Sequence, residues 1–184
     1  MKLADRQLTR AWLVAFSAAL LSTSQLGCQP IATGNRLTVA SAGKIISLDP
    51  AQASTVNTIQ LLSALGDPLY SLDGNGELIP RLAEASPIVS PDGLTVTIPL
   101  RRDVLFHDGT RFDAEAMAFS LRRFLEIGTL SYVVGGRIRS VEVAADHQLV
   151  LGLSRPSTSL EGLLTSVNLT PVSPTAYAQH RDGF

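Results

Sequence analysis

The stretch Ser90-Pro-Asp-Gly-Leu-Thr-Val-Thr-Ile-Pro-Leu-Arg-Arg-Asp-Val-Leu-Phe-His-Asp-Gly-Thr-Arg-Phe-Asp-Ala-Glu115 decides how the chain is read. Pro91-Asp92-Gly93 signals a turn, and after it Leu94, Val96, Ile98 and Leu100 alternate with Thr95, Thr97 and Pro99. A period of two is the mark of a strand with one buried face. Pro99 has no N–H for a ladder, so its nitrogen is expected to face a sheet edge. Asp108-Gly109 signals a second turn, and Asp113 stands where it can cap a helix. On that helix Met117, Leu121, Phe124 and Leu125 share a face, while Glu115, Arg122 and Arg123 lie off it.

Working outward, Val141-Glu-Val143 and Leu149-Val-Leu-Gly-Leu153 flank Ala145-Asp-His-Gln148 and predict a hairpin with one buried face. Upstream, Asp73-Gly-Asn-Gly76 predicts a hairpin turn between 68–72 and 77–79. Thr58 to Leu65 carries Ile59, Leu62 and Leu65 at helical spacing, and Gly66 stops it. Leu48-Asp49-Pro50 turns the chain, since Pro50 fixes its own φ and keeps Asp49 out of the helical region. Leu37-Thr-Val-Ala40 predicts a short buried strand. Strands interleaved with helices argue for an α/β or α+β domain, and no fixed-period repeat is visible.

The N-terminus has a different character. Lys2, Arg6 and Arg10 precede an apolar run over 11–21, followed by polar 22–25 and Leu26-Gly27-Cys28. Eleven residues at ~1.5 Å each reach only about half of a ~30 Å hydrocarbon core, so the pattern is that of a secretory signal over 1–27. Cys28 directly after Leu-Gly resembles the acylated cysteine of bacterial lipoprotein signals, although Gln25 stands where such signals usually carry Leu. An uncleaved anchor and a buried free thiol are the alternatives. Lipidation fits better, because the chain's one cysteine has no partner for an intrachain disulfide.

Composition excludes several function classes. The 184 residues carry 15 basic and 16 acidic side chains, a net charge of −1, which argues against nucleic-acid binding by bulk charge. Loss of 1–27 leaves 12 basic and 15 acidic residues, a net charge of −3. One cysteine and three scattered histidines give no metal-ligand cluster. Gly43-Lys44 is not a phosphate loop, since Thr38 and Ile45 occupy positions that need Gly and Ser or Thr. His107-Asp108 lacks a nucleophile and reads as a turn-stabilising pair; Asp113 and Glu115 read as a cap and a first-turn charge. Arg101-Arg102 and Arg122-Arg123 read as solvated doublets. Asn168-Leu-Thr170 matches the glycosylation triplet, which the bacterial-type signal makes irrelevant. No catalytic set and no cofactor motif emerge.

The order of these pieces resembles a known family. Leu48-Asp-Pro50, the stretch Gly66 to Glu84, and above all Ser90 to Glu115 are similar to the family 5 bacterial extracellular solute-binding proteins, the oligopeptide-, dipeptide- and nickel-binding components of ABC importers. Val141 to Arg155 and Pro171-Val-Ser-Pro-Thr-Ala-Tyr177 resemble the hairpin and connection that follow. One departure is Ala85-Ser86, where members commonly have Ser-Trp.

The resemblance implies an α/β fold, the N-terminal part of a type II periplasmic binding-protein fold with its second lobe missing. It divides the chain into a signal (1–27), a linker (28–36), a first segment of lobe I (37–66), an accessory α/β domain (67–156) and a truncated return into lobe I (157–184). By position it puts Ser54, Thr55 and Val56 along a cleft that pairs main-chain groups with an extended peptide, with Tyr132 a further cleft aromatic. An ordinary surface loop and simple packing are the respective alternatives. The implied function is capture of a peptide or similar small solute outside the inner membrane. The implied partners are ABC permease subunits, the membrane through a lipid on Cys28, and a separate chain carrying the second lobe; neither nucleic acid nor a cofactor is implied. The alternative is a truncated envelope lipoprotein with a structural or interaction role. With one wall of a two-walled cleft, the chain alone is expected to bind solute weakly or not at all.

Overall fold

The computed structural model of the protein describes residues 38–40, 42–134, 136–157 and 160–180. The signal segment and Cys28 lie outside the described residues. The chain divides after Ala40 into two units. Of the first, only Thr38–Ala40 are described. The buried strand expected at 37–40 is not seen there: Thr38–Ala40 form no strand and Val39 is 80% exposed. A strand exists through its ladder, and neither sheet among the described residues includes this segment.

The second unit begins with a 3₁₀ turn, Pro50–Gln52, and helix α1, Val56–Leu65. Strands β1 (Tyr70–Leu72) and β2 (Leu78–Pro80) pair antiparallel. Their turn is built by Asp73, whose Oδ1 accepts from the Asn75 and Glu77 amides, both at 2.8 Å. Short β3 (Ile88–Val89), then β4 (Thr95–Pro99), β5 (Ile138–Ala145) and β6 (Gln148–Leu153), form an antiparallel sheet in the order β3-β4-β6-β5. Helices α2 (Ala114–Ile127), α3 (Leu160–Leu164) and α4 (Pro174–Gln179) complete the unit. None of the described helices is long and apolar enough to cross a membrane.

The alternation read at Leu94–Leu100 places the core. Val96 lies opposite Leu151, which lies opposite Val141, and Ile98 opposite Leu149, which lies opposite Val143. These rows make one apolar face, and α2 covers it with Met117, Leu121 and Phe124, all buried. Each such side chain contributes about 1.5–3 kcal/mol on leaving water. Helix α2 starts where expected, with the Ala116 amide donating to Asp113 Oδ1 at 2.8 Å. Gly109 sits at φ 81°, in the left-handed region that its turn requires. The Pro99 carbonyl accepts from the Glu84 amide at 2.9 Å. Its nitrogen therefore faces the side where β3 no longer runs, as a proline in a sheet demands.

Helix α1 ends at Gly66 as expected, and its face is only partly buried: Leu62 is inside, but Leu65 is 47% exposed and Thr58 takes an inner position. One reading is corrected. Arg123, read as half of a solvated doublet, is 8% exposed. Helix α2 has a second buried stripe, Ala116, Ser120 and Arg123, turned away from the sheet. The small residues at 116 and 120 let other chain segments approach, and Ser120 Oγ accepts from the Val172 amide at 3.0 Å.

Candidate functional site

The segment singled out by the resemblance, Ser54 to Val56, is held by what precedes it. Pro50 starts the 3₁₀ turn with its φ already set, and Asp49 caps it through the Ala51 amide, donating to Oδ1 at 3.0 Å. The Asp49 carboxylate also receives both arms of Arg123, Nη1 to Oδ1 at 2.8 Å and Nη2 to Oδ2. This bidentate pair lies out of water, and its carboxylate raises the pKa of the Arg123 guanidinium. The same guanidinium stacks over the Tyr177 ring at 4.5 Å. From the other side Asn168 Nδ2 donates to the Pro50 carbonyl at 2.9 Å and to the Ala53 carbonyl at 2.8 Å.

Beyond this clamp the backbone is extended at Ala53 (φ −64°, ψ 115°) and at Thr55 (φ −111°, ψ 148°), and it then enters α1. Thr55 caps the helix: its Oγ1 accepts from the Thr58 amide at 3.3 Å and donates to Thr58 Oγ1 at 2.9 Å. Ser54 and Val56 face outward. Tyr132, in a 3₁₀ turn after α2, is 78% exposed and is not part of the core. The loop that leads to it is tied to the same clamp, because the Thr129 amide donates to the Ala51 carbonyl at 3.1 Å. One scaffold thus anchors both predicted segments. Residues 54–56 carry no charge, so what they present is main chain and small or apolar side chains, suited to hydrogen bonding rather than to proton transfer.

His107 is exposed, and the Asp108 carboxylate does not turn to it. Asp108 instead accepts from Thr110 Oγ1 at 2.6 Å and from Ser173 Oγ at 2.5 Å, which holds its pKa below the usual carboxylate range. The expected His–Asp pair is replaced by a latch to the cap of α4, since Ser173 also accepts from the Ala176 amide at 3.1 Å. Among the described residues no group of three or more His, Cys, Asp or Glu could hold a metal ion. Sequence gives Asp49 a turn, Arg123 a solvated doublet and Asn168 a glycosylation triplet; their joint role in the clamp comes only from the fold.

A layer of antiparallel sheet and helix, joined to short segments that converge on the turn before α1, is one portion of a type II periplasmic binding-protein fold. OppA of Listeria monocytogenes, solved bound to peptide, superposes with a TM-score of 0.70 at 22% identity, over 76% of this chain and 31% of that one. The model for bacterial extracellular solute-binding proteins, family 5 (middle part), matches residues 77–183, and the chain belongs to that family. It is 28% identical to the glutathione-binding protein GsiB of Salmonella choleraesuis (strain SC-B67), over 94% of this chain and 33% of the relative. It is 29% identical to a probable peptide ABC transporter periplasmic-binding protein of Sinorhizobium fredii (strain NBRC 101917 / NGR234), over 89% of this chain and 30% of the relative. The chain therefore spans about a third of the length of the curated relatives it matches.

Proposed function

We propose that this chain supplies one wall of the solute cleft of an ABC importer that takes peptides or similar small solutes. The observation that carries the reading is the clamp: Asp49–Arg123 and Asn168 fix buried Ala53, so that Ser54 is exposed between it and the α1 cap Thr55. Extended main chain can pair with the main chain of a peptide and bind it without reading its side chains. Tyr132 adds an aromatic face beside the same scaffold. The opposite wall comes from polypeptide that this chain does not span, and the assembled receptor delivers its solute to permease subunits. Export through 1–27 and acylation of Cys28 would keep the chain on the periplasmic side of the envelope; Cys28→Ser should abolish incorporation of labelled fatty acid.

The test separates main-chain from side-chain recognition. In a receptor assembled from this chain and the rest of a family 5 protein, Ser54→Ala leaves peptide affinity within about twofold of the parent. Ser54→Pro removes one N–H and lowers affinity at least tenfold. The backbone at Ala53 is extended, as the residue before a proline requires. Equal affinity in both variants would refute main-chain pairing at this segment.

A further inference from the structure

Asn75 and Gly76 belong to the exposed turn between β1 and β2. Of the four asparagines, at 35, 57, 75 and 168, this one alone precedes glycine. Beyond its chain neighbours, Gly76 has no atom within 4 Å of where a Cβ would sit. It stands at φ 85°, and without a side chain its nitrogen can be approached closely. The Asn75 side-chain amide makes one long contact, Nδ2 to Asp73 Oδ2 at 3.5 Å. The Gly76 amide donates to the Asp73 carbonyl at 3.1 Å, at the tip of a two-stranded sheet only three residue pairs long. Such hairpin tips open locally at little cost.

The other candidate positions are shut. Asn168 is buried with Nδ2 committed to two carbonyls, and Asn57 precedes β-branched Thr58, whose amide already donates to Thr55 Oγ1. Among the described residues Asp73, Asp92 and Asp108 also precede glycine. Each is kept ionised by hydrogen bonds: Asp73 by the Glu77 and Asn75 amides, Asp92 by Ser90 Oγ and the Leu94 amide, Asp108 by Ser173 and Thr110. A carboxylate anion resists attack by nitrogen, whereas a neutral amide accepts it.

We infer that Asn75 is a site of spontaneous modification, at which the chain converts its own backbone to an isoaspartyl link. The Gly76 nitrogen, having lost its proton, bonds to Asn75 Cγ. The Cγ–Nδ2 bond breaks and ammonia leaves, carrying that proton away. Water then opens the five-membered imide. Addition at the Asn75 main-chain carbonyl leaves isoaspartate joined to Gly76 through Cγ; addition at Cγ leaves ordinary aspartate. One water enters, one ammonia leaves, and nothing is oxidised. Isoaspartate puts one more carbon into the main chain between Asp73 and Glu77, so Asp73 Oδ1 cannot keep both of the amides it accepts. Either product also sets a third carboxylate beside Asp73 and Glu77, and like charges repel.

To test it, the full chain is incubated in neutral and in mildly alkaline buffer, and its peptides are followed by mass spectrometry. The expected result is an amide-to-acid mass gain in the peptide that holds Asn75, at least tenfold faster than at Asn57 or Asn168. Alkaline buffer speeds it, because the attacking nitrogen must lose its proton. The product separates into two peptides of equal mass, and the isoaspartyl one takes up a labelled methyl group from a protein isoaspartyl methyltransferase. Asn75→Gln, whose longer side chain cannot close the five-membered ring, removes the signal without changing the melting temperature. In hydrogen exchange the isoaspartyl fraction loses protection over 71–79 at least fivefold. Asn75→Asp, with the new charge but the ordinary main chain, loses less than half as much. Conversion at Asn75 no faster than at Asn57 or Asn168, or equal methyl uptake at Asp92 or Asp108, overturns the inference. So does methyl uptake that survives Asn75→Gln, and so does an isoaspartyl fraction whose hairpin exchanges like the parent's. A chain that deamidates only when unfolded in urea would also overturn it, since the turn would then be a shield.

Discussion

Arg123 and Asp49, separated by 74 residues, meet in a buried two-armed ion pair that joins the inner helix to the turn before the candidate cleft. The pair is 8% and 1% exposed on its two sides, so neither charge has water to fall back on. Breaking it strands the other charge in a poorly polarisable interior. Asp49→Ala should cost about 3–5 kcal/mol in urea unfolding of the full chain. Arg123→Lys should recover less than half of that, because an ammonium cannot satisfy both carboxylate oxygens in one plane. A loss under about 1 kcal/mol for Asp49→Ala would show that the pair is solvated after all.

Asn168 makes the second half of the clamp. Asn168→Ala leaves the Ala53 carbonyl without a donor, at about 1–3 kcal/mol, while the Pro50 carbonyl keeps the Ala53 amide at 3.1 Å. Asn168→Asp should be worse, since it turns a carboxylate oxygen toward those carbonyls. Hydrogen exchange is the sharper readout: amides of 53–58 should exchange at least tenfold faster in the alanine variant while β4 and β6 keep their protection. Unchanged exchange over 53–58 would mean that the segment is held by other contacts.

Much of this architecture could be read from local pattern. The alternation over 94–100, the Asp113 cap and the Asp73–Gly76 turn involve neighbours in sequence, and the structure places each where the pattern put it. The clamp could not be read this way. Arg122 and Arg123 are indistinguishable as a doublet, and only the approach of Asp49 and Tyr177 on one side of α2 separates them. Arg122 instead reaches across to the Val141 carbonyl at 2.7 Å. The strand expected at 37–40 failed for a related reason: hydrophobic pattern reports a capacity to pair, while a ladder needs a neighbour. Asn168, read only as part of a triplet, gains its role from two carbonyls more than a hundred residues upstream.

Tyr70 gives an alkaline signature. Its ring is fully buried, its Oη donates to the Ala85 carbonyl at 2.8 Å, and burial pushes the phenol well above its ordinary pKa. The folded state thus favours the neutral phenol. Its contribution is complete below the unfolded pKa of about 10 and is lost as pH rises beyond it. Tyr70→Phe should cost about 1 kcal/mol at pH 7 and flatten the decline of stability above pH ~10. A decline of the same size in the variant would assign the effect to other groups.

Asp108 gives the opposite signature. Hydrogen bonds from Ser173 and Thr110 lower its pKa, so the latch contributes above the unfolded carboxyl value of about 3.9 and is lost as pH falls below it. Asp108→Asn should lower the melting temperature at pH 6 and narrow its difference from the parent toward pH 3. A difference that stays constant over this range would exclude the latch as its source.

The most direct measurement is calorimetric titration of the full chain, alone, with a mixed pool of dipeptides to pentapeptides. The expected result is no binding in the micromolar range by this chain, and binding once the complementary part of a family 5 protein is seated beside it. Micromolar affinity of the chain by itself would contradict the claim that it provides only one side of the cleft.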